Sequence, residues 1–266
     1  MYRKRFGQHF LEPIWADKVV GAIDPSPDDI FLEIGPGAGV LTLRLAPRVS
    51  RLIAVEIDRD LAAALAPKLP PNSSVIAADV LDVDFTALLP SAADSAVVRV
   101  AGNLPYNVSS PILFRLLQLA DERPVGDATL MLQREVADRI AAEPGTGDYS
   151  PLSVLIQWRA EVRRLLNIPP GAFRPPPKVN SALIRLTFRP PRHPVADPAI
   201  FERMVKAMFT KRRKTLANAL QGFAEESGTT AVAALKAAEI DARRRPETLE
   251  LVEIARLADV FAAADR

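Results

Sequence analysis

The run Ile30-Phe31-Leu32-Glu33-Ile34-Gly35-Pro36-Gly37-Ala38-Gly39 passes from mostly apolar residues into a glycine-rich turn, and residues 40–46 beyond it have helical character up to Pro47. A short apolar run bounded by turn residues reads as a buried strand. Strand, glycine turn and helix in succession make a nucleotide-binding unit. The glycines let the backbone approach the ligand, and the helix N-terminus presents free N–H groups and the positive end of its dipole. The spacing is G-x-G-x-G, not the G-x-G-x-x-G of dinucleotide enzymes, which favours a ligand without a pyrophosphate. An NAD-dependent oxidoreductase is disfavoured for that reason, and because the C-terminal half offers no plausible hydride-transfer histidine.

The same pattern recurs outward from that unit. Residues 52–55 read as a strand ending in Glu56-Ile57-Asp58, roughly 20 residues beyond the glycines, where an acidic side chain accepts hydrogen bonds from ribose hydroxyls. A solvated strand end would also account for Glu56 alone. Asp58 is placed to cap a helix over 59–66. A third strand, 75–78, delivers Asp79 and Val80. Asp79 could accept from an adenine amine while the Val80 N–H donates to a ring nitrogen, although Asp79 alone reads equally as a turn residue.

A fourth strand, 96–101, leads into Gly102-Asn103-Leu104-Pro105-Tyr106-Asn107. Pro105 fixes its own φ and holds Leu104 extended. The Asn103 amide oxygen and the Leu104 carbonyl are then two neighbouring acceptors, and Tyr106 adds a flat ring. This set suits an exocyclic amine on a flat heterocycle, such as N6 of adenine. A proline turn with an Asn cap is the plainer reading of the same residues.

The remainder fits an α/β chain. Helices are expected over 14–23, 112–119 (with Ser109-Ser110-Pro111 as its start) and 134–142, and a strand over 128–132. Residues 151–158 could be either element. Closing strands run over 162–168 and 181–188. Between them Pro169 to Lys178 forms a stiff, proline-rich loop whose Phe173 either lies in the core or reaches the site as a second stacking ring.

Near His193 the composition changes, which divides the chain into residues 1–192 and 193–266. Beyond the boundary only helices are expected, over 199–210, 214–223, 230–238 and 248–264. Arg203, Lys206, Lys211, Arg212, Arg213 and Lys214 form a basic cluster there, with Arg243-Arg244-Arg245 a second. Such clusters are either solvated surface or contacts to RNA phosphates.

Composition narrows the function classes. A chain of 266 residues with 48% apolar and 25% charged residues builds one large domain and a small one. No apolar run is long enough to span a bilayer, the basic start leads into no hydrophobic signal core, and the absence of cysteine makes a cytoplasmic protein the expectation. Zero cysteines remove disulfides, thiolate catalysis and thiolate-bound zinc, and two histidines make a histidine-rich metal site unlikely; no metal is expected. A net charge of +2 does not by itself mark a nucleic-acid binder.

Taken together, several stretches resemble the ribosomal RNA adenine N6-dimethyltransferase family, and within it the small-subunit branch. They are Lys4-Arg5-Phe6-Gly7-Gln8-His9-Phe10-Leu11, residues 33–42, Glu56-Ile57-Asp58-Arg59-Asp60-Leu61, residues 102–111, Met131-Leu132-Gln133-Arg134-Glu135-Val136, residues 169–182 and Arg212-Arg213-Lys214-Thr215-Leu216. The resemblance implies a Rossmann-like, seven-stranded methyltransferase sheet that uses S-adenosylmethionine, followed by a small all-helical domain that grips RNA. It implies cofactor contacts at His9, Leu11, Gly35, Glu56, Asp79 and Asn103, with Gly37, Ile57 and Val80 beside them. Asn103, Leu104, Pro105 and Tyr106, with Phe173, would form the catalytic set. The family often has Asn where this chain has His9, which a backbone contact tolerates and a side-chain amide contact does not. The implied substrate is a pair of adjacent adenosines in a hairpin near the 3′ end of small-subunit ribosomal RNA, met in a partly assembled subunit by a monomeric enzyme. The same residues also fit a related adenine methyltransferase acting on large-subunit RNA or DNA, or a non-catalytic RNA-binding assembly factor.

Overall fold

The computed structural model describes residues 9–91, 96–105 and 108–264. The chain divides into two compact units, one of residues 1–137 with Glu161–Phe188, the other of Asp138–Ala160 with Arg189–Arg266.

In the first unit β1 (Phe10–Leu11) is followed by α1 (Pro13–Ile23), β2 (Ile30–Ile34), α2 (Thr42–Leu45), β3 (Arg51–Glu56), α3 (Arg59–Leu65) and β4 (Ser73–Ala77). Then come β5 (Val98–Asn103), α4 (Ser109–Glu122), β6 (Val125–Gln133), α5 (Arg134–Ile140), β7 (Ala160–Ile168), β8 (Phe173–Arg174) and β9 (Ser181–Phe188). Seven strands make one sheet in the order β4-β3-β2-β5-β6-β9-β7, as the resemblance implied. β2 pairs in parallel with both β3 and β5, and β9 runs antiparallel to β6. The chain works outward from β2 through β3 to β4, then returns to lay β5 on the other side of β2. Loops leaving β2 and β5 therefore diverge, and a crevice opens at their carboxyl ends. The two strands approach so closely that a Cβ on Gly102 would lie 2.7 Å from the Ile34 carbonyl oxygen.

Local chemistry sets most element boundaries. Asp58 caps α3 by accepting from the Asp60 and Leu61 N–H groups at 3.0 and 3.3 Å. The helix expected over 40–46 is shorter. It spans Thr42–Leu45 and tightens into a 3₁₀ turn, Ala46–Arg48, which Pro47 enters without loss because no N–H is needed there. Ser109 and Ser110 lie inside α4, whose cap is Val108. The helix-or-strand ambiguity at 151–158 resolves as helix: Pro151 opens it and the Ser150 N–H donates to Ser153 Oγ at 3.0 Å.

α1 is tied to the sheet through its C-terminal carbonyls. Arg99 donates to Asp24 O at 3.0 Å and Ile23 O at 2.8 Å, while pairing with Asp29 at 2.7 Å and Asp127 at 2.8 Å. Arg185 from β9 donates to Ala22 O and Ile23 O at 2.9 and 2.8 Å. Two guanidinium groups thus satisfy carbonyls that a helix end leaves without partners and place positive charge at the negative end of its dipole.

The second unit is helical, with α6 (Pro151–Arg159), α7 (Pro198–Thr210), α8 (Leu216–Ala219), α9 (Gln221–Glu226), α10 (Ala231–Ala237) and α11 (Leu251–Ala264). The helix expected over 214–223 is broken at Leu220 into α8 and α9. The domain boundary needs a larger correction. Residues 138–160 were expected in the first domain, yet they cluster with the C-terminal helices, because their rings pack there: Trp158 lies 4.4 Å from Phe201 and Tyr149 lies 6.0 Å from Phe209, centroid to centroid. The Trp158 indole N–H also donates to His193 O at 2.8 Å. No described helix is long and apolar enough to cross a membrane.

Replacing Arg99 by Met leaves Asp29 and Asp127 without their cation in a largely enclosed site. Urea unfolding should then show a loss on the order of 3 kcal/mol; a loss within 0.5 kcal/mol, the typical range for a surface substitution, would show that the network is incidental.

Candidate active site

A cavity of about 160 Å³ lies at the carboxyl ends of β2, β3 and β5. Its walls are the 35–38 turn, Glu56 and Ile57, the 78–81 segment, Asn103 to Pro105, and the β1 segment from His9 to Leu11. It thereby brings together His9, Leu11, Gly35, Gly37, Glu56, Ile57, Asp79, Val80, Asn103, Leu104 and Pro105, all expected from sequence. Tyr106 lies outside the described residues.

The glycine turn and β3 are joined through one carboxylate. Gly35 and Gly37 have φ of 67° and 57°, a left-handed backbone that glycine adopts without a steric cost. In that conformation the Gly37 N–H points at Glu56 Oε2, 2.9 Å away, while the Asp58 N–H donates to Oε1 at 2.9 Å. Each oxygen keeps a second lone pair for a ribose hydroxyl. Asp79 Oδ1 accepts from the Leu81 N–H at 3.0 Å, which fixes the carboxyl at the adjoining wall. Ile57 and Leu81 are exposed apolar side chains facing this part of the cavity, suited to the faces of a heterocycle.

Glu33 is a site residue that pattern reading passed over, because within an apolar strand its alternation gives no signal. It lines the cavity, is 1% exposed, and its Oε2 has no hydrogen-bond partner. Burial raises its pKa to about 7; the Thr42 hydroxyl and N–H oppose the rise and the Glu56 charge adds to it. Among the described residues the lining holds three carboxyl groups, Glu33, Glu56 and Asp79, and no Lys or Arg. Such a cavity favours a ligand carrying positive charge. Val108 and Ile112 also line it, at the start of α4, and the sequence offered only their place after the Asn103 turn as a signal.

At the end of β5 the Leu104 N–H donates to Met131 O at 3.1 Å, and Pro105 O accepts from the Val108 N–H at 3.2 Å. Asn103 Nδ2 donates to His9 O at 3.2 Å. Phe173 is not at this mouth. It is 1% exposed, pairs with Leu11 across the β1–β8 ladder, and sits in an apolar cluster with Leu11, Ala16 and Val20. The stacking role expected of it is corrected to a core role, since a ring buried on both faces cannot receive a base.

The basic residues lie in the helical unit and differ in what they can do. Arg212 donates to the Thr146 and Gly147 carbonyls, a clasp on the loop before α6. Arg203 and Lys206 lie beside Glu226 and Glu202 at 3.6 and 3.4 Å. Lys211, Arg213 and Lys214 are exposed. Backbone bonds from Leu216 to Arg244 O and from Ala217 to Ala242 O, 2.7 and 3.2 Å, draw the second basic cluster alongside.

Sequence comparison agrees with this geometry. Residues 1–257 match the family described as ribosomal RNA adenine dimethylase. The chain is 50% identical over 220 residues to ribosomal RNA small subunit methyltransferase A of Leptothrix cholodnii, covering 82% of this chain and 79% of that one. It is 43% identical over 264 residues to the protein of the same name from Pseudomonas aeruginosa, covering 98% and 94%. Among solved structures, the 23S rRNA methyltransferase ErmE superposes with a TM-score of 0.65 at 28% identity, covering 95% of this chain and 99% of that one. Acceptors at Glu56 and Asp79, the glycine turn and the acidic lining all fit an adenosyl group with a positively charged tail. The chain belongs to the ribosomal RNA adenine dimethylase family, enzymes that transfer methyl groups to adenine from S-adenosylmethionine.

Proposed function

We propose that this chain dimethylates N6 of two adjacent adenosines in a hairpin near the 3′ end of small-subunit ribosomal RNA, acting as a cytoplasmic monomer on a partly assembled subunit. The observation that carries this reading is the meeting of Glu56, Asp79 and Asn103 in one cavity at the β2–β5 crossover. Identity of 43–50% to small-subunit methyltransferases, against 28% to the 23S enzyme, favours the small subunit as target.

Glu56 takes the ribose hydroxyls, and Asp79 with the Val80 N–H takes the adenine edge of the cofactor. Bound there, S-adenosylmethionine supplies an electrophilic methyl group on a sulfonium that departs as a neutral thioether. The protein's share is alignment and charge. The target adenosine leaves its stack and enters beside Asn103, where N6 must lie in line with the methyl carbon. Its lone pair is delocalised into the ring. Acceptors at Asn103 Oδ1 and Leu104 O draw the amine hydrogens, favour a pyramidal nitrogen and stabilise the positive charge that grows on it. The N6 proton leaves to solvent once the amine is cationic, so no protein base is required. The family resemblance makes Tyr106, outside the described residues, the ring expected to stack on the base, a contact of about 1–3 kcal/mol. Lys211, Arg213 and Lys214 neutralise RNA phosphates, and Arg212, Arg203 and Lys206 add positive field around them.

Tritiated methyl transfer to small subunits lacking the modification, with nucleoside analysis, should yield N6-dimethyladenosine. Asn103→Ala should cut kcat about 10²- to 10³-fold, a larger effect than its effect on the cofactor Kd; wild-type turnover by that variant would remove Asn103 from the mechanism.

A triple Lys211→Ala, Arg213→Ala, Lys214→Ala variant should lower the slope of log K against log salt for RNA binding by roughly 2. An unchanged slope would assign these cations to solvent.

Glu33 gives a pH signature. Its carboxyl is protonated in the folded chain up to about pH 7, whereas the unfolded chain loses that proton near the ordinary value of 4.5. Stability from this group is therefore fully present below pH 4.5, declines as pH rises, and is lost above 7, by roughly 3 kcal/mol at most. Glu33→Gln should flatten that decline in urea titrations run at a series of pH values; an unaltered pH profile would refute the raised pKa.

A further inference from the structure

An asparagine can turn either end of its amide toward a ligand, and for Asn103 the choice decides whether it helps or opposes the reaction. An oxygen facing N6 accepts from the amine and meets its developing positive charge. An NH2 group there would meet donor with donor and repel that charge. The side chain does not choose by itself. The His9 carbonyl, which can only accept, lies 3.2 Å from Nδ2 and so claims the NH2 end, leaving Oδ1 for the other side.

His9 in turn needs an anchor. The β1–β8 ladder covers only Phe10↔Arg174 and Leu11↔Phe173, so His9 lies just beyond the last pair. The imidazole extends the connection: Nδ1 lies 2.7 Å from the Pro175 carbonyl oxygen. A carbonyl cannot donate, so Nδ1 carries the proton in this contact.

We propose that His9 is a positioning residue, whose Nδ1–H···O=C bond to Pro175 pins its own backbone carbonyl so that Asn103 presents Oδ1 to the substrate amine. This rests on the reading of Asn103 as the acceptor for N6. The arrangement also accounts for asparagine over aspartate at this position. A carboxylate at 103 would keep an acceptor for the amine but set an oxygen against the His9 carbonyl oxygen.

The chemistry of the link selects the test. Asparagine carries Nδ2 where histidine carries Nδ1, one bond beyond Cγ, so His9→Asn retains the donor whereas His9→Ala removes it. His9→Ala should slow methyl transfer about tenfold, with the unfolding midpoint and the RNA KM nearly unchanged, and His9→Asn should recover most of that loss. In an Asn103→Ala background, His9→Ala should cost nothing further, because it acts through the missing amide. The ¹⁵N–¹H side-chain signals of Asn103, assigned by their disappearance in Asn103→Ala, should exchange with solvent about tenfold faster in His9→Ala than in the wild type or His9→Asn. Additive losses in the double variant, or Asn103 exchange indifferent to His9→Ala, would overturn the proposal. The exchange measurement needs no turnover, so it judges the His9–Asn103 link even if the wild-type chain proves inactive on small subunits, an outcome that would refute the functional reading alone.

Discussion

One carboxylate organises the site. Glu56 accepts a backbone N–H from the glycine turn after β2 with one oxygen and a backbone N–H from the start of α3 with the other. Charge-assisted bonds of this kind are roughly twice as strong as neutral ones. They join two segments that leave different strands, and they hold Gly37 in the left-handed backbone its loop requires. The same anion is then in place for a ligand's hydroxyls. Two backbone N–H groups offset its charge, which is why it can be almost wholly buried with no cation paired to it among the described residues.

Glu33 completes the electrostatics. A second carboxyl close to Glu56, enclosed and without a partner for one oxygen, resists ionisation near neutral pH. Catalysis by methyl transfer asks for little more than this: an electrophile held by its adenosine end, an amine held by acceptors, and no nucleophile from the protein. The ends of β2, β3 and β5 meet around one small volume, with Glu56, Asp79 and Asn103 on its walls.

The two-stranded ladder of β1 and β8 connects the start of the chain to the proline loop. Its apolar side accounts for Phe173, whose ring is worth more inside the cluster with Leu11 and Val20 than at the mouth of the cavity. The ladder also ends beside His9, whose carbonyl oxygen accepts from Asn103 Nδ2, a contact between residues more than ninety positions apart in the chain.

Much of this was legible in the residues. Period and punctuation marked nearly every long strand and helix, because a buried strand ending in glycine or proline has few other readings. Gly35, Glu56, Asp79 and Asn103 could be singled out because each follows such a strand directly, and strand ends of a parallel sheet converge on one edge. What pattern could not supply was anything set by distant partners. The β1–β8 pairing, the burial of Phe173, the raised pKa of Glu33 and the assignment of 138–160 to the helical unit each depend on a neighbour remote in sequence. Short-range spacing records the backbone's preferences, whereas burial, desolvation and amide orientation belong to the assembled surroundings.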